Sequence, residues 1–116
     1  LVEDEPQVRE SVRRLLESQG YTVLEAQSGE DALQLYDRNA ASIDLVVTDV
    51  SMPGMSGYEL VERLRSRSPG LRVLFMSGYA DRVTAGNGGI GTGTGFVQKP
   101  FDVKTLMQRV REVLEG

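Results

Sequence analysis

The sequence predicts an α/β fold in which a parallel sheet carries helices on both faces. Three observations point there. Five short apolar runs alternate with amphipathic stretches of helical spacing, and the connections between them are short and marked by glycine, proline and cap residues. The run Leu45-Val46-Val47 is also apolar at consecutive positions, as a strand covered on both faces must be. At 116 residues the chain makes one domain, residues 1–116, with enough length for one sizeable core.

The elements follow in order. Leu1-Val2 begins inside an apolar segment without an initiator methionine. It reads as the remnant of a first strand in a piece of a longer protein. A helix follows, with Pro6 near its start and Val8, Val12, Leu15 and Leu16 on one face. Gly20 ends it, since glycine enters the left-handed region cheaply. Tyr21 to Leu24 forms the second strand. Ser28, with Asp31 three residues on, opens a helix through Ala32, Leu33 and Tyr36. Leu45 to Val47 is the third strand, and Gly57 leads into a helix carrying Leu60, Val61 and Leu64. Pro69-Gly70 precedes the fourth strand, Leu71 to Met76. Phe96-Val97 is a short fifth strand. Asp102 caps a last helix whose apolar positions are Leu106, Met107, Val110, Val113 and Leu114.

One stretch breaks the alternation. Residues 85–95, "AGNGGIGTGTG", hold six of the 13 glycines where a fourth helix is expected, and only Ala80 to Thr84 could start one. It reads as a mobile surface loop. A phosphate-cradling role is disfavoured because no Lys-Ser or Lys-Thr pair follows it.

Composition removes whole classes of chemistry. With no histidine and no cysteine, the chain cannot run Ser-His-Asp or Cys-His catalysis, build a thiolate or imidazole metal site, or donate a phosphoryl group from histidine. The absence of cysteine fits a cytoplasmic protein. A formal net charge of −4 argues against a nucleic-acid surface, and no run of about 18 apolar residues is present that could span a bilayer. Carboxylates, hydroxyls and lysine remain.

Those groups gather at predicted strand ends: Glu3-Asp4-Glu5 after the first strand, Asp49 after the third, Ser77 after the fourth and Lys99-Pro100 after the fifth. In parallel α/β sheets, sites lie outside the carboxyl ends of the strands. Taken singly, each residue has an ordinary role as a turn residue, a solvated charge or a satisfied hydroxyl. Taken together, two or three carboxylates a few ångströms apart repel and call for a cation, and an oxygen-only site suits Mg²⁺. Asp49 would then be the nucleophile that forms an acyl phosphate, with Lys99 and Ser77 stabilising the transferring group.

The motifs "LVEDEP", "LVVTDVSMPGMSGYEL", "VLFMSGYA" and "FVQKPF" resemble, in order and over nearly the whole chain, the receiver domain of two-component response regulators. The wording "VLFMSGYADR … FVQKPF" looks most like receivers of hybrid sensor histidine kinases. The resemblance implies a flavodoxin-like (βα)5 sheet of order 2-1-3-4-5, here with an eroded or disordered fourth helix. It implies that Asp49 accepts a phosphoryl group from a phosphohistidine on a histidine kinase or histidine phosphotransfer domain, so that the module catalyses its own phosphorylation and dephosphorylation. Asp4 would ligate Mg²⁺ directly, Glu3 through water, and Ser51 through its backbone carbonyl. Ser77 would hold a phosphoryl oxygen, Lys99 would pair with the phosphate, and Phe96 would be the aromatic that turns inward as Ser77 moves. Pro100 would follow a cis peptide. Ser51 and Tyr79 would tune the access of water. The face of the fourth helix, fifth strand and fifth helix is the family's usual signalling or homodimer surface, and the glycine-rich stretch alters it here. No contact of this domain with nucleic acid or membrane is expected, though a parent hybrid kinase could be membrane-anchored.

Two other classes compete. A phosphatase of the haloacid-dehalogenase type would need an aspartate two residues after its nucleophile, and position 51 is serine. A pseudo-receiver docking module without phosphotransfer would be expected to lack the acidic pair, Asp49 or Lys99, and all are present. A flavin-binding flavodoxin would need a Ser/Thr-rich phosphate loop after the first strand, which is absent.

Overall fold

The computed structural model describes residues 1–78 and 93–115. Helices α1 (Pro6–Ser18), α2 (Gly29–Asn39), α3 (Gly57–Arg67) and α4 (Val103–Glu115) surround strands β1 (Val46–Asp49), β2 (Val73–Ser77) and β3 (Thr94–Gln98), and a 3-10 turn (Ala40–Ser42) follows α2. The three strands pair in parallel in the order β1-β2-β3.

The two predicted N-terminal strands are reduced to single bridges. Val2 pairs in parallel with Ala26 on one side and Thr48 on the other, while Tyr21 to Leu24, predicted as the second strand, forms no ladder. The order survives this reduction. Ala26, Val2, Thr48, Phe75 and Phe96 follow one another across the sheet, which is the expected 2-1-3-4-5 arrangement.

Successive strand residues point to opposite faces and so feed two cores. Val46, Val73 and Phe75 pack with Ala32 and Tyr36 of α2 and with Leu60, Val61 and Leu64 of α3. Val47, Leu74, Met76 and Val97 pack with Val12 and Leu16 of α1 and with Leu106, Met107, Val110 and Val113 of α4. Helices therefore cover both faces.

Local signals set the helix ends. Pro6 opens α1, and the Ser28, Ser56 and Asp102 side chains accept from the amides of Asp31, Glu59 and Thr105 at 3.1, 3.1 and 2.7 Å. Gly20, with φ at +94°, carries the chain out of α1.

The fifth strand starts earlier than predicted, because Thr94 and Gly95 belong to β3 rather than to a loop. Gly95 is glycine for a packing reason: a Cβ there would lie 2.5 Å from Cγ2 of Val113 in α4. Ala80 to Thr84, and residues 85–92 of the glycine-rich stretch, lie outside the described residues.

Two arginines tie the edge of the sheet opposite the site. Arg65 of α3 donates to the Leu71 and Gly93 carbonyls and, at 2.7 Å, to Oγ1 of Thr94. Arg72 donates to the carbonyls of Val113 and Leu114, closing the end of α4. No helix among the described residues is long and apolar enough to cross a membrane.

The start of α3 fixes the end of β1. The Gly57 amide donates to the Val50 carbonyl at 2.8 Å, and a Cβ on Gly57 would fall 2.0 Å from the Asp49 carbonyl oxygen. Gly57→Ala is expected to cost about 2 kcal/mol or more through this overlap. Gly70→Ala, with nothing near the added methyl, should stay within about 0.5 kcal/mol of the parent. Urea unfolding midpoints of the two variants check the difference.

Candidate functional site

The C-terminal ends of the strands bring four charged side chains together. Val46 to Val50 are all buried, so Asp49 is carried on a rigid element rather than on a free loop. The Thr48 hydroxyl donates to the Asp49 carbonyl at 3.1 Å, and the Val50 amide continues the ladder to the Met76 carbonyl at 3.0 Å. Glu3 sits where the first strand stops pairing. Its amide donates to the Ala26 carbonyl at 3.1 Å, and its side chain is fully buried. Lys99 leaves β3 with its amide bonded to the Ser77 carbonyl at 2.8 Å, and the Lys99–Pro100 peptide is cis, as the resemblance implies.

The ammonium of Lys99 lies between two carboxylates. Its Nζ donates to Oε1 of Glu3 at 2.9 Å and to Oδ2 of Asp49 at 3.0 Å. The other Glu3 oxygen accepts from the Glu5 amide at 3.1 Å. Asp4, partly buried, completes a group in which one carboxylate oxygen each from Glu3, Asp4 and Asp49 lie within 4.8 Å of one another.

Electrostatics follow from this crowding. Burial pushes the Glu3 carboxyl above its ordinary value, and the nearby Asp49 charge adds to the push. The Lys99 bond and the Glu5 amide only partly offset it. Burial works against the Lys99 ammonium as well, but its bonds to Glu3 and Asp49 outweigh that and hold its pKa raised. Three carboxylates against one ammonium leave two negative charges in a nook of oxygen donors, which is the charge and chemistry of a hard divalent cation site.

The remaining predicted residues stand around this group. Ser77 is buried at the end of β2, in register with Gln98. Ser51 is exposed just after β1, at the start of the loop into α3. Phe96 is partly buried on the α2/α3 side, where its ring stacks on Phe75 with centroids 5.1 Å apart, and Phe75 in turn meets the Tyr58 ring at 4.9 Å. Tyr79 lies outside the described residues.

Two features escaped the sequence reading. One is the double contact of the Lys99 ammonium, which bridges Glu3 and Asp49. Arg9 was not singled out, yet its Nη1 donates to the Glu3 carbonyl at 2.8 Å. The only sequence signal for Arg9 is an arginine on the first turns of the helix that follows the acidic run.

Comparison with known proteins places this geometry in context. The family described as response regulator receiver domain matches residues 1–111. Sensor kinase CckA of Brucella abortus is 44% identical over 115 residues, 99% of this chain but 12% of that protein. Response regulator MprA of Mycobacterium sp. (strain KMS) is 38% identical over 98% of this chain and 49% of its own length. The chain thus spans half or less of these curated relatives. The crystal structure of the receiver domain from hybrid histidine kinase CckA superposes with a TM-score of 0.80 at 42% identity, covering 97% of this chain and 94% of that one.

The raised Glu3 carboxyl has a stability consequence. Between the ordinary value near 4.5 and its raised value the folded chain binds more protons than the unfolded one, so stability falls as pH rises through that window. In metal-free buffer near neutral pH, Glu3→Gln should therefore raise the thermal midpoint. The gain should shrink as pH falls through that window and be gone below the ordinary carboxyl value, and differential scanning calorimetry across pH checks both the sign and the window.

Proposed function

The chain belongs to the response regulator receiver domain family, and on that premise we propose that Asp49 is its phosphoryl acceptor, served by Glu3, Asp4, Ser51, Ser77 and Lys99. Receiver domains work in two-component signalling. The observation that carries the residue assignment is the Lys99 ammonium held at 2.9 and 3.0 Å between Glu3 and Asp49, with Asp4 completing the acidic group.

The donor set fits Mg²⁺: Glu3, Asp4 and Asp49 supply carboxylate oxygens, and Ser51 would add its backbone carbonyl. When bound, Mg²⁺ supplies positive charge that offsets the build-up on the transferring phosphoryl group. The chain's own groups do the rest. An Asp49 carboxylate oxygen attacks phosphorus, the P–N bond of the phosphohistidine breaks, and its electron pair departs with the ring nitrogen, leaving a neutral imidazole whose proton sits on the other ring nitrogen. Lys99 gives up part of its hold on Asp49 and donates to a phosphoryl oxygen. The Ser77 hydroxyl donates to another. The shift of Ser77 toward the phosphoryl group frees Phe96 to turn inward, and the state of Asp49 is then read at the surface beside β3. Ser51, just after β1, would tune how readily water reaches the acyl phosphate, the role that the sequence also assigns to Tyr79.

The donor is a histidine kinase or a histidine phosphotransfer domain. The 44% identity to a sensor kinase over 99% of this chain supports a hybrid kinase as the parent protein, with the domain itself on the cytoplasmic side.

Brief incubation with Mg²⁺ and acetyl phosphate should raise the intact mass by one phosphoryl group, and Asp49→Asn should abolish the gain. No gain in a wild-type chain that binds Mg²⁺ would favour a docking module without phosphotransfer. In the same series, Lys99→Ala should bind Mg²⁺ at least as tightly as the wild type, because a competing cation is gone. Its phosphorylated form should leave the Phe96 ring resonances unmoved.

A further inference from the structure

We propose that Arg9 is a positioning residue for the metal and phosphoryl site and acts through the main chain of Glu3. This rests on the reading of Glu3 and Asp4 as ligands. Strand pairing is lost at Glu3: its amide still bonds to Ala26, but its carbonyl lies past the Val2 bridge and accepts instead from Nη1 of Arg9 at 2.8 Å. That contact sets the direction in which the chain carries Glu3 and Asp4 over the strand ends.

Two further observations single out the contact. First, the start of α1 lacks the device that the other helices use. Glu5 makes no side-chain cap, whereas Ser28, Ser56 and Asp102 cap α2, α3 and α4. Arg9, reaching back from the first turns of α1 to Glu3, supplies the tie between strand end and helix that a cap would otherwise give.

Second, the guanidinium is itself held from the other side. Its Nε lies 3.6 Å from Oε1 of Glu25, which directly precedes Ala26, the bridge partner of Val2. The second Glu25 oxygen is 3.5 Å from Nε of Arg13. Arg9 therefore joins α1, the end of the first strand and the neighbouring strand position into one frame. It touches the Glu3 backbone, not its carboxylate, and so leaves the ligating oxygens to Lys99, the Glu5 amide and the metal.

Loss of a residue that orients ligands from behind weakens metal binding by about tenfold or more. Arg9→Met keeps the apolar stem and removes the donor. By calorimetric titration it should bind Mg²⁺ about tenfold more weakly than the wild type. Arg9→Lys, which restores a donor, should recover most of the loss. The Mg²⁺ concentration that half-saturates phosphorylation by acetyl phosphate should rise in parallel, while the rate at saturating Mg²⁺ stays within about twofold, the signature of altered binding rather than altered chemistry. If Arg9→Met does not fold, Glu25→Gln provides the second reading, with a smaller weakening of about threefold expected from a loosened guanidinium.

Wild-type Mg²⁺ affinity in Arg9→Met, or in Glu25→Gln where only that variant folds, would overturn the positioning role while leaving Asp49 as acceptor. A wild-type chain that neither binds Mg²⁺ nor takes a phosphoryl group would overturn the assignment of the site and this role with it.

Discussion

The ammonium of Lys99 between the carboxylates of Glu3 and Asp49 is the contact on which the rest of the structure depends. Two carboxylates buried at the rim of a sheet repel one another and have lost most of their water. Without a cation between them the fold would carry an uncompensated charge, which costs of order 3 kcal/mol or more. Lys99 meets that need with bonds of 2.9 and 3.0 Å. It cannot neutralise the third carboxylate, Asp4, and the site keeps a negative surplus. A site balanced in this way holds together without metal, and under the proposed function its one ammonium would turn from Asp49 to the phosphoryl group.

The surrounding architecture keeps these groups in place. Asp49 is fixed from behind by the Thr48 hydroxyl on its carbonyl and by the start of α3, which comes so close that residue 57 tolerates no side chain. Lys99 is fixed by its backbone bond to Ser77, so the residue that would sense the phosphoryl oxygen and the residue that would pair with it share one hydrogen bond. On the opposite edge, Arg65 and Arg72 fasten β3 and α4 to the ends of the sheet. On the near side Phe96, the aromatic of β3, is half-buried on Phe75.

Much of this was legible in the sequence, for physical reasons that differ by residue. Pro6, Ser28, Asp102 and Gly20 mark helix ends because capping and left-handed turns are local chemistry. Asp49, Glu3, Asp4 and Lys99 could be placed together because parallel connectivity brings strand ends to one edge. The misreadings have tertiary causes. Tyr21 to Leu24 has strand-like composition, but the residue that meets Val2 is Ala26. Thr94 and Gly95 looked like loop because glycine obscured a strand whose small residue makes room for Val113. The Lys99 bridge and the Arg9 contact depend on side-chain reach and burial, which no spacing in the sequence encodes.

Chemical trapping of the phosphorylated chain tests the central claim most directly. After exposure to Mg²⁺ and a phosphorylated histidine phosphotransfer domain, borohydride reduction should leave homoserine in place of Asp49 and nowhere else in the peptide map. Homoserine at Asp4, or no reduction product from a chain that has gained phosphate, would contradict the account.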